Sequence, residues 1–190
     1  YIEETQKTGL ANIRRIKPFL VREHMVLDAS CQRNLELVRN IYDGSIKGTL
    51  LSVLDSTVTA MGGRKLREWL LNPLMNAKEI ERRLDAVAEF KNDHQLRSSI
   101  ITTLGAVYDL ERLISRVSLG AANARDLLAL KLTFTALPRL HELLIKSNAR
   151  LIYDIAQDWD GLQDVFQFIE GAINDDPPYT LREGKLIKKG

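Results

Sequence analysis

Apolar residues recur at intervals of three and four positions through most of this chain, with polar residues between them. This spacing places the apolar side chains on one face of a helix, so the pattern predicts amphipathic helices. The predicted helices fall at residues 77–92, 95–104, 110–119, 124–144 and 162–173. Asp109 and Asn123 stand where a side chain can accept a hydrogen bond from the first turn of the following helix. Pro138 predicts a kink or a break near Leu137.

Residues 49–73 read TLLSVLDSTVTAMGGRKLREWLLNP and predict two short helical blocks. Thr49 and Thr59 precede the blocks as N-caps, and Pro73 ends the second. An adjacent pair of glycines lies inside the second block, where each costs about 1 kcal/mol relative to alanine. Such a cost predicts that another backbone passes close by, at a packing junction between helices. The candidate junction residues are Gly62, Gly63, Arg64 and Trp69.

The pattern is less regular towards both ends of the chain. Residues 25–27 form a short apolar run that predicts a strand, and residues 29–37 fit either a short helix or a strand. Residues 181–189 predict two short extended pieces around a glycine. The whole pattern therefore predicts a mainly α fold, a helical bundle with a few short extended segments near the N-terminus and at the C-terminal end.

The composition is that of an ordinary globular protein. Of the 190 residues, 45% are apolar and 27% are charged, which argues against disorder. No apolar run approaches the roughly 20 residues of a membrane helix, so we expect a cytoplasmic location without membrane contact. The lone cysteine, Cys31, excludes an internal disulfide, and a formal net charge of +2 is too small to indicate nucleic-acid binding by itself.

The residue types that most often carry chemistry do not form a recognisable site. His24, His94, His141 and Cys31 lack the short paired spacings of zinc ligands. Cys31 and His24 could act as nucleophile and base, but no oxyanion loop or orienting third residue accompanies them. A buried, inert cysteine is therefore favoured. We predict no catalytic, cofactor-binding or metal-binding residue in this chain.

Charged motifs also favour structural interpretations. GGRK at residues 62–65 lacks the spacing of a phosphate-binding loop, so packing at a helix junction is favoured. Asp175 and Asp176 precede two prolines and are more typical of a helix end than of a divalent-cation site. DLER at residues 109–112 begins a helix, and we expect one of its charges to form a buried ion pair with a neighbouring helix.

Three clusters of basic residues keep a nucleic-acid alternative open. They are Arg14, Arg15 and Lys17; Arg64, Lys65 and Arg67; and Lys185, Lys188 and Lys189. No aromatic residues alternate with them, and acids lie close by in the sequence, which favours solvated faces or internal ion pairs over phosphate contacts. If the chain itself contacts duplex DNA, the first cluster supplies the candidate weak contacts with the DNA backbone.

Two long motifs, followed by shorter ones in a fixed order, resemble a known family. MVLDASCQRNLEL at residues 25–37 and TLLSVLDSTVTAMGGRKLREWLLNPL at residues 49–74 are similar to signatures of the MutS family of DNA mismatch repair proteins. YDLERLISRVSLG at residues 108–120 and ARDLLALK at residues 124–131 follow in the family's order. Ser30 and Cys31 depart from the small residue and threonine that the family commonly has, and no function depends on this difference.

This resemblance implies a domain organisation and a role. Residues 1–20 would be the end of the connector domain and a linker, and residues 21–190 the N-terminal part of the helical core, or lever, domain before the clamp. The implied function is DNA mismatch repair. In it, this chain would be a non-catalytic lever that couples the DNA-binding clamp and the mismatch domain to an ATPase domain.

The same resemblance implies the cofactors and partners of the longer protein. They are ATP and Mg²⁺ bound by another domain, mismatched double-stranded DNA, a MutL-type repair partner, and a second copy in a homodimer. The resemblance assigns none of their binding residues to this chain. The second hypothesis is a helical module that itself contacts the backbone of duplex DNA through its basic clusters. A third, a stand-alone enzyme, has no supporting set of residues.

Overall fold

The computed structural model describes residues 23–178 and 184–188 of the chain. In these residues extended structure is confined to two isolated antiparallel bridges, His24–Leu74 and Ile173–Ile187. The helices are α1 (Ala29–Asn34), α2 (Leu50–Leu54), α3 (Ala60–Leu71), α4 (Ala77–Asn92), α5 (His94–Leu104), α6 (Leu110–Ser118), α7 (Ala124–Leu144), α8 (Arg150–Gln157) and α9 (Gln163–Ala172). The predicted mainly α fold is confirmed.

The extended segments are shorter than predicted. The prediction of a strand at residues 25–27 is wrong. Met25 N donates to Pro73 O, but the pairing of the two segments ends after one bridge, so no strand forms. The ambiguous segment at residues 29–37 begins as helix α1, whose start is capped by the Asp28 carboxylate. At the other end, residues 184–188 contribute one bridge, and residues 181–183 and 189 lie outside the described part.

Side-chain caps start the helices where the sequence predicts them. The hydroxyls of Thr49 and Thr59 each accept a hydrogen bond from the amide three residues on, at 3.2 and 3.0 Å. Asn123 and Asp126 form a reciprocal capping box at the start of α7. Helix α3 stops two residues before Pro73. These boundaries depend on local chemistry, which explains why the sequence is sufficient to locate them.

The helices form two parts with separate hydrophobic cores. The first, here called the N-terminal unit, comprises residues 23–76 and buries Leu37, Val38 and Leu51 at its centre. The second, here called the bundle, comprises α4 to α9. Its two clusters are Leu113, Leu130, Phe134, Leu137 and Ile169, and Ala86, Ala149 and Ile152. Helix α2 packs against α3, and neither packs extensively against a helix of the bundle.

Helix α7 is the central element of the bundle and packs against α5, α6, α8 and α9. It runs unbroken through Pro138, so of the two alternatives predicted near Leu137, a kink or a break, the break is excluded. A proline inside a helix costs about 3 kcal/mol. Phe134, Leu137 and Leu140 are buried on both sides of it, and burial of each such side chain contributes about 1.5–3 kcal/mol. Tertiary packing therefore outweighs the local preference for a break.

Helix α8 has no counterpart among the predicted helices. Its N-cap, Ala149, makes no side-chain cap hydrogen bond. The Glu89 carboxylate on α4 takes that role, accepting hydrogen bonds from Asn148 N at 2.9 Å, Ala149 N at 2.8 Å and the Ser147 hydroxyl at 2.5 Å. Burial raises the pKa of Glu89, but these three hydrogen bonds lower it by more, so the net shift is downward. The start signal of α8 thus comes from a residue about 60 positions earlier.

A buried threonine joins α7 to the turn before α6 and provides a test of the fold. Thr133 accepts a hydrogen bond from Tyr108 N at 3.0 Å and donates one to Ala129 O at 2.9 Å. Thr133→Val keeps the shape but leaves the Tyr108 amide without its acceptor, so we expect the free energy of unfolding to fall by about 1–3 kcal/mol. Urea denaturation of the full chain measures the change. The exposed control Thr135→Val is expected to stay within about 0.5 kcal/mol, and equal losses in both variants would contradict the assignment.

Candidate functional site

Arg64 on α3 connects the N-terminal unit to the bundle. Its Nη1 and Nη2 donate to the two carboxylate oxygens of Asp109 at 3.0 and 2.8 Å. Its Nε and Nη2 also donate to Glu111 Oε2 at 2.9 and 2.5 Å. One guanidinium therefore holds two carboxylates in the two-pronged geometry that suits arginine. These three residues are here called the Arg64 clasp.

Both acceptors of the Arg64 clasp lie at the N-terminus of α6, where a negative charge interacts favourably with the helix dipole. Asp109 is the N-cap and accepts the amide hydrogen of Arg112, while Glu111 lies in the first turn. The hydrogen bond from Arg64 lowers the pKa of Asp109, and the same contact raises the pKa of Arg64. Both shifts favour the charged forms of Arg64 and Asp109.

The ion pair predicted for residues 109–112 forms with a neighbouring helix, but it is not buried. The exposed fractions of the side chains of Arg64, Asp109 and Glu111 are 48%, 18% and 67%. The prediction of burial was wrong because α3 and α6 approach each other at the surface and not through a shared apolar core. An exposed contact of this kind contributes little net stability and can separate at low cost.

Trp69 makes a second contact between the two parts. The guanidinium carbon of Arg83, on α4, lies 3.9 Å from the centroid of the Trp69 ring. This is a cation–π contact, in which the positive charge interacts with the negative face of the ring. Of the four candidate junction residues, Arg64 and Trp69 thus both reach from α3 to the bundle.

The two glycines have a different role from the one predicted. A Cβ on Gly62 would lie 2.9 Å from Thr59 Oγ1, and a Cβ on Gly63 would lie 3.3 Å from Thr57 Oγ1. The nearest atoms are side-chain atoms of the preceding turn, so the expectation of another passing backbone is wrong. Asp55 holds that turn by accepting hydrogen bonds from Thr57 N and Thr57 Oγ1. The glycines leave room for the turn to fold back over the start of α3.

The other predicted residues are dispersed. Arg14, Arg15 and Lys17 lie outside the described residues. Lys65 pairs with Glu68 within α3 at 2.9 Å. Lys188 pairs with Glu170 and Asp175 at 3.6 and 3.5 Å.

The candidate chemical residues are equally dispersed. Cys31 is exposed, so its predicted burial is wrong, because α1 lies at the surface with no buried residue. Asp175 accepts from Lys131 at 3.1 Å, which engages the carboxylate in an ion pair. Within the described residues no three His, Cys, Asp or Glu side chains are grouped as metal ligands. In the same part of the chain, every helix is too short or too polar to cross a membrane.

Comparison with known protein families shows to which family the chain belongs. The sequence model of the family described as MutS domain III matches residues 30–189. The chain belongs to the MutS domain III family. The resemblance of its motifs to MutS proteins is thereby confirmed. The Arg64 clasp and the Trp69–Arg83 contact both lie inside the region matched by the MutS domain III family.

Full-length relatives agree with this assignment. Proteins named DNA mismatch repair protein MutS from Pelotomaculum thermopropionicum, Acetivibrio thermocellus and Brevibacillus brevis are 46%, 45% and 43% identical to the chain. Each alignment covers 100% of the chain and 22% of the relative. The chain therefore spans about a fifth of the length of the MutS proteins it matches.

The sequence indicates some parts of the site and not others. The motif at residues 109–112 predicts an ion pair with another helix, and Arg64 was already a junction candidate. No local pattern identifies Arg83 as the partner of Trp69, or Glu89 as the anchor of α8. Both partners become neighbours only after the helices pack.

The glycine explanation predicts opposite results for two glycine-to-alanine changes. Gly171→Ala, in α9 with nothing within 4 Å of the added Cβ, should raise the free energy of unfolding by about 0.5–1 kcal/mol. Gly62→Ala should show no such gain, since its Cβ would displace Thr59 Oγ1 and forfeit a cap hydrogen bond worth about 1 kcal/mol. Chemical denaturation of both variants decides the point. Equal stabilisation would show that the space beside Gly62 is not restricted.

The Arg64 clasp predicts a pH-dependent contribution to stability. The pKa of Asp109 is lower in the folded chain than its ordinary value of 3.8. The stabilisation is therefore complete above that value and is lost as the pH falls through the folded-state pKa. We expect Arg64→Met to lower the free energy of unfolding most between about pH 5 and pH 7, and the difference to shrink below about pH 4.

Denaturation of the wild-type chain and the Arg64→Met variant at stepped pH measures this difference. Lys65→Met is the matched control, because its partner Glu68 lies in the same helix and cannot connect the two parts. A loss in Arg64→Met that does not change with pH would show that Asp109 is not its principal partner.

Proposed function

We propose that this chain is the non-catalytic lever module of a MutS mismatch repair protein. In this role it carries movement between the parts that hold mismatched DNA and the part that hydrolyses ATP. The supporting facts are its membership of the MutS domain III family and its division into two separately packed parts. The observation that carries the proposal is the Arg64 clasp, which joins those parts through charged surface groups.

Two cores joined by a small contact favour movement as rigid bodies. Packed interiors resist deformation, so each part is displaced as a whole. The joint between them consists of partly exposed side chains, whose contacts break and re-form at little cost in free energy compared with a buried apolar interface. Coupling is then the difference in free energy between two arrangements of the same parts.

For the longer protein, the proposal extends to its ligands and location. We propose that other domains bind ATP and Mg²⁺ and contact mismatched double-stranded DNA. We also propose that the protein forms a homodimer, engages a MutL-type partner and is located in the cytoplasm. The names of the full-length relatives, each a DNA mismatch repair protein MutS, support this extension.

The alternative, direct contact with the DNA backbone, has weaker support. Arg64, Lys65 and Lys188 from two of the basic clusters form ion pairs with acids of the same chain. Ion pairs of this kind leave less charge available for phosphates. The function that the described residues support best is mechanical.

A chimaera tests this function. The segment of the Pelotomaculum thermopropionicum protein that aligns with this chain is replaced by this chain, which is 46% identical to it. We expect the chimaera to hydrolyse ATP and to respond to mismatched duplex. Arg64→Met and Asp109→Asn should each reduce that response without changing basal turnover. An asparagine amide is as good an N-cap as a carboxylate, so a loss in Asp109→Asn reports the charge and not the cap of α6.

Three outcomes separate the parts of the proposal. A chimaera without any response to mismatched duplex contradicts the lever assignment. Equal responses in Arg64→Met and the control Lys65→Met contradict the role of the Arg64 clasp. Because Arg64 and Asp109 form one contact, the double variant should lose no more of the response to mismatched duplex than the single variant with the larger loss. Additive losses would indicate that the two residues act independently.

A further inference from the structure

A cavity of about 380 Å³ opens on the N-terminal unit, and none of its lining residues belongs to the Arg64 clasp. Its lining includes the apolar side chains of Val38 and Leu71. Three arginines also line it: Arg33 at the end of α1, Arg39 in the following loop, and Arg67 on α3. No carboxylate is among its described lining residues. These five residues are here called the arginine pocket.

Arg33, Arg39 and Arg67 form no ion pair with an acidic side chain among the described residues, and all three line the same cavity. Elsewhere in the same part of the chain, arginines such as Arg82 and Arg116 pair with carboxylates at 3.0 and 2.9 Å. Like charges around one cavity repel each other, and an anion that enters it relieves the repulsion. The pocket is therefore suited to a negatively charged group.

Glu68, next to Arg67 in the sequence, pairs with Lys65, and backbone amides engage two acids close to Arg33 and Arg39. Glu36 accepts a hydrogen bond from Ile41 N at 2.7 Å, and Asp43 accepts one from Ser45 N at 2.8 Å. Both contacts lie within the loop that follows α1. The chain thus uses these carboxylates to shape the loop and leaves the arginines available.

The same loop presents apolar side chains to solvent. Tyr42 has an exposed fraction of 98%, and Leu35, Ile41 and Ile46 are also exposed. Asn40 fixes the loop, because its amide donates to Ser45 Oγ and Lys47 O and its Oδ1 accepts from two loop amides. A loop held in this way loses little further entropy on binding. Tyrosine and arginine together are typical of protein interfaces.

We propose that the arginine pocket and the loop beside it dock a segment of the longer MutS polypeptide that carries carboxylates next to apolar side chains. The carboxylates would pair with the arginines, and the apolar side chains would cover Tyr42 and its neighbours. A bare phosphate matches the arginines but leaves the exposed apolar residues uncovered. The chain is 22% of the length of its relatives, so most of the polypeptide that could supply such a segment lies outside it. This inference rests on the proposed function.

Photo-crosslinking in the chimaera tests the proposal. Tyr42 is replaced by the photoreactive analogue p-benzoylphenylalanine, the protein is irradiated with mismatched duplex present, and the products are mapped by mass spectrometry. We expect a link within one polypeptide, to a peptide outside these 190 residues that contains at least two Asp or Glu beside apolar residues. The yield should fall when the salt is raised to about 0.5 M, because screening weakens ion pairs at a surface.

Matched variants show whether the arginines direct the contact. Replacing Arg33, Arg39 and Arg67 by Gln should lower the yield roughly fivefold or more, since interface charge pairs set partner choice. The same analogue at Phe168, which is exposed on α9, is the control and should keep its pattern of products. If the triple variant loses its fold, the single variant Arg39→Gln, at an exposed loop position, makes the same test.

The other outcomes overturn the proposal. A crosslink from position 42 to DNA, to a second copy of the protein or to a segment without acids would show that the pocket has another occupant. The absence of any crosslink would show that nothing docks there. A yield unchanged by Arg→Gln would exclude the charge complementarity. The products are identified whether or not the chimaera responds to mismatched duplex, so failure of the docking proposal is distinguishable from failure of the lever assignment.

Discussion

The burial of α7 among four other helices is the constraint on which the rest of the structure depends. Its apolar side chains fix α5, α6, α8 and α9 around one axis, and their packing outweighs the cost of Pro138. Because α6 is held in this way, Asp109 and Glu111 at its N-terminus have a fixed position. Arg64 therefore binds two carboxylates whose positions are already fixed, so the geometry of the clasp depends on the packing of the bundle core.

The contrast between the two cores and the joint between them supports the proposed mechanical role. Within each part, buried apolar side chains pack together, and such packed interiors resist deformation. Between them, the clasp and the Trp69–Arg83 contact involve charged groups that are partly exposed to solvent. Such contacts fix the orientation and separation of the two parts but add little to the free energy that holds them together. A joint between two bodies that move relative to each other requires this property.

The sequence predicts what is local and misses what is distant. Thr49, Thr59 and Asn123 begin helices through bonds to amides three residues on, so their roles follow from sequence alone. The start of α8 could not be predicted, because its acceptor is Glu89 on another helix. The glycine pair predicts another backbone close by, which is wrong, because the side chains that approach it depend on how the turn at residues 55–59 folds back.

Helix α3 carries residues of both surfaces to which we assign a role, the Arg64 clasp and the arginine pocket. It carries Arg64, which reaches the bundle, and Arg67, which lines the arginine pocket one turn further along. Twelve residues of helix are roughly 18 Å long and move as one rod. A segment that binds at the pocket and shifts α3 must also shift Arg64 relative to Asp109. If the docking and lever proposals both hold, the stiffness of α3 is sufficient to couple the segment bound at Arg67 to the contact made by Arg64.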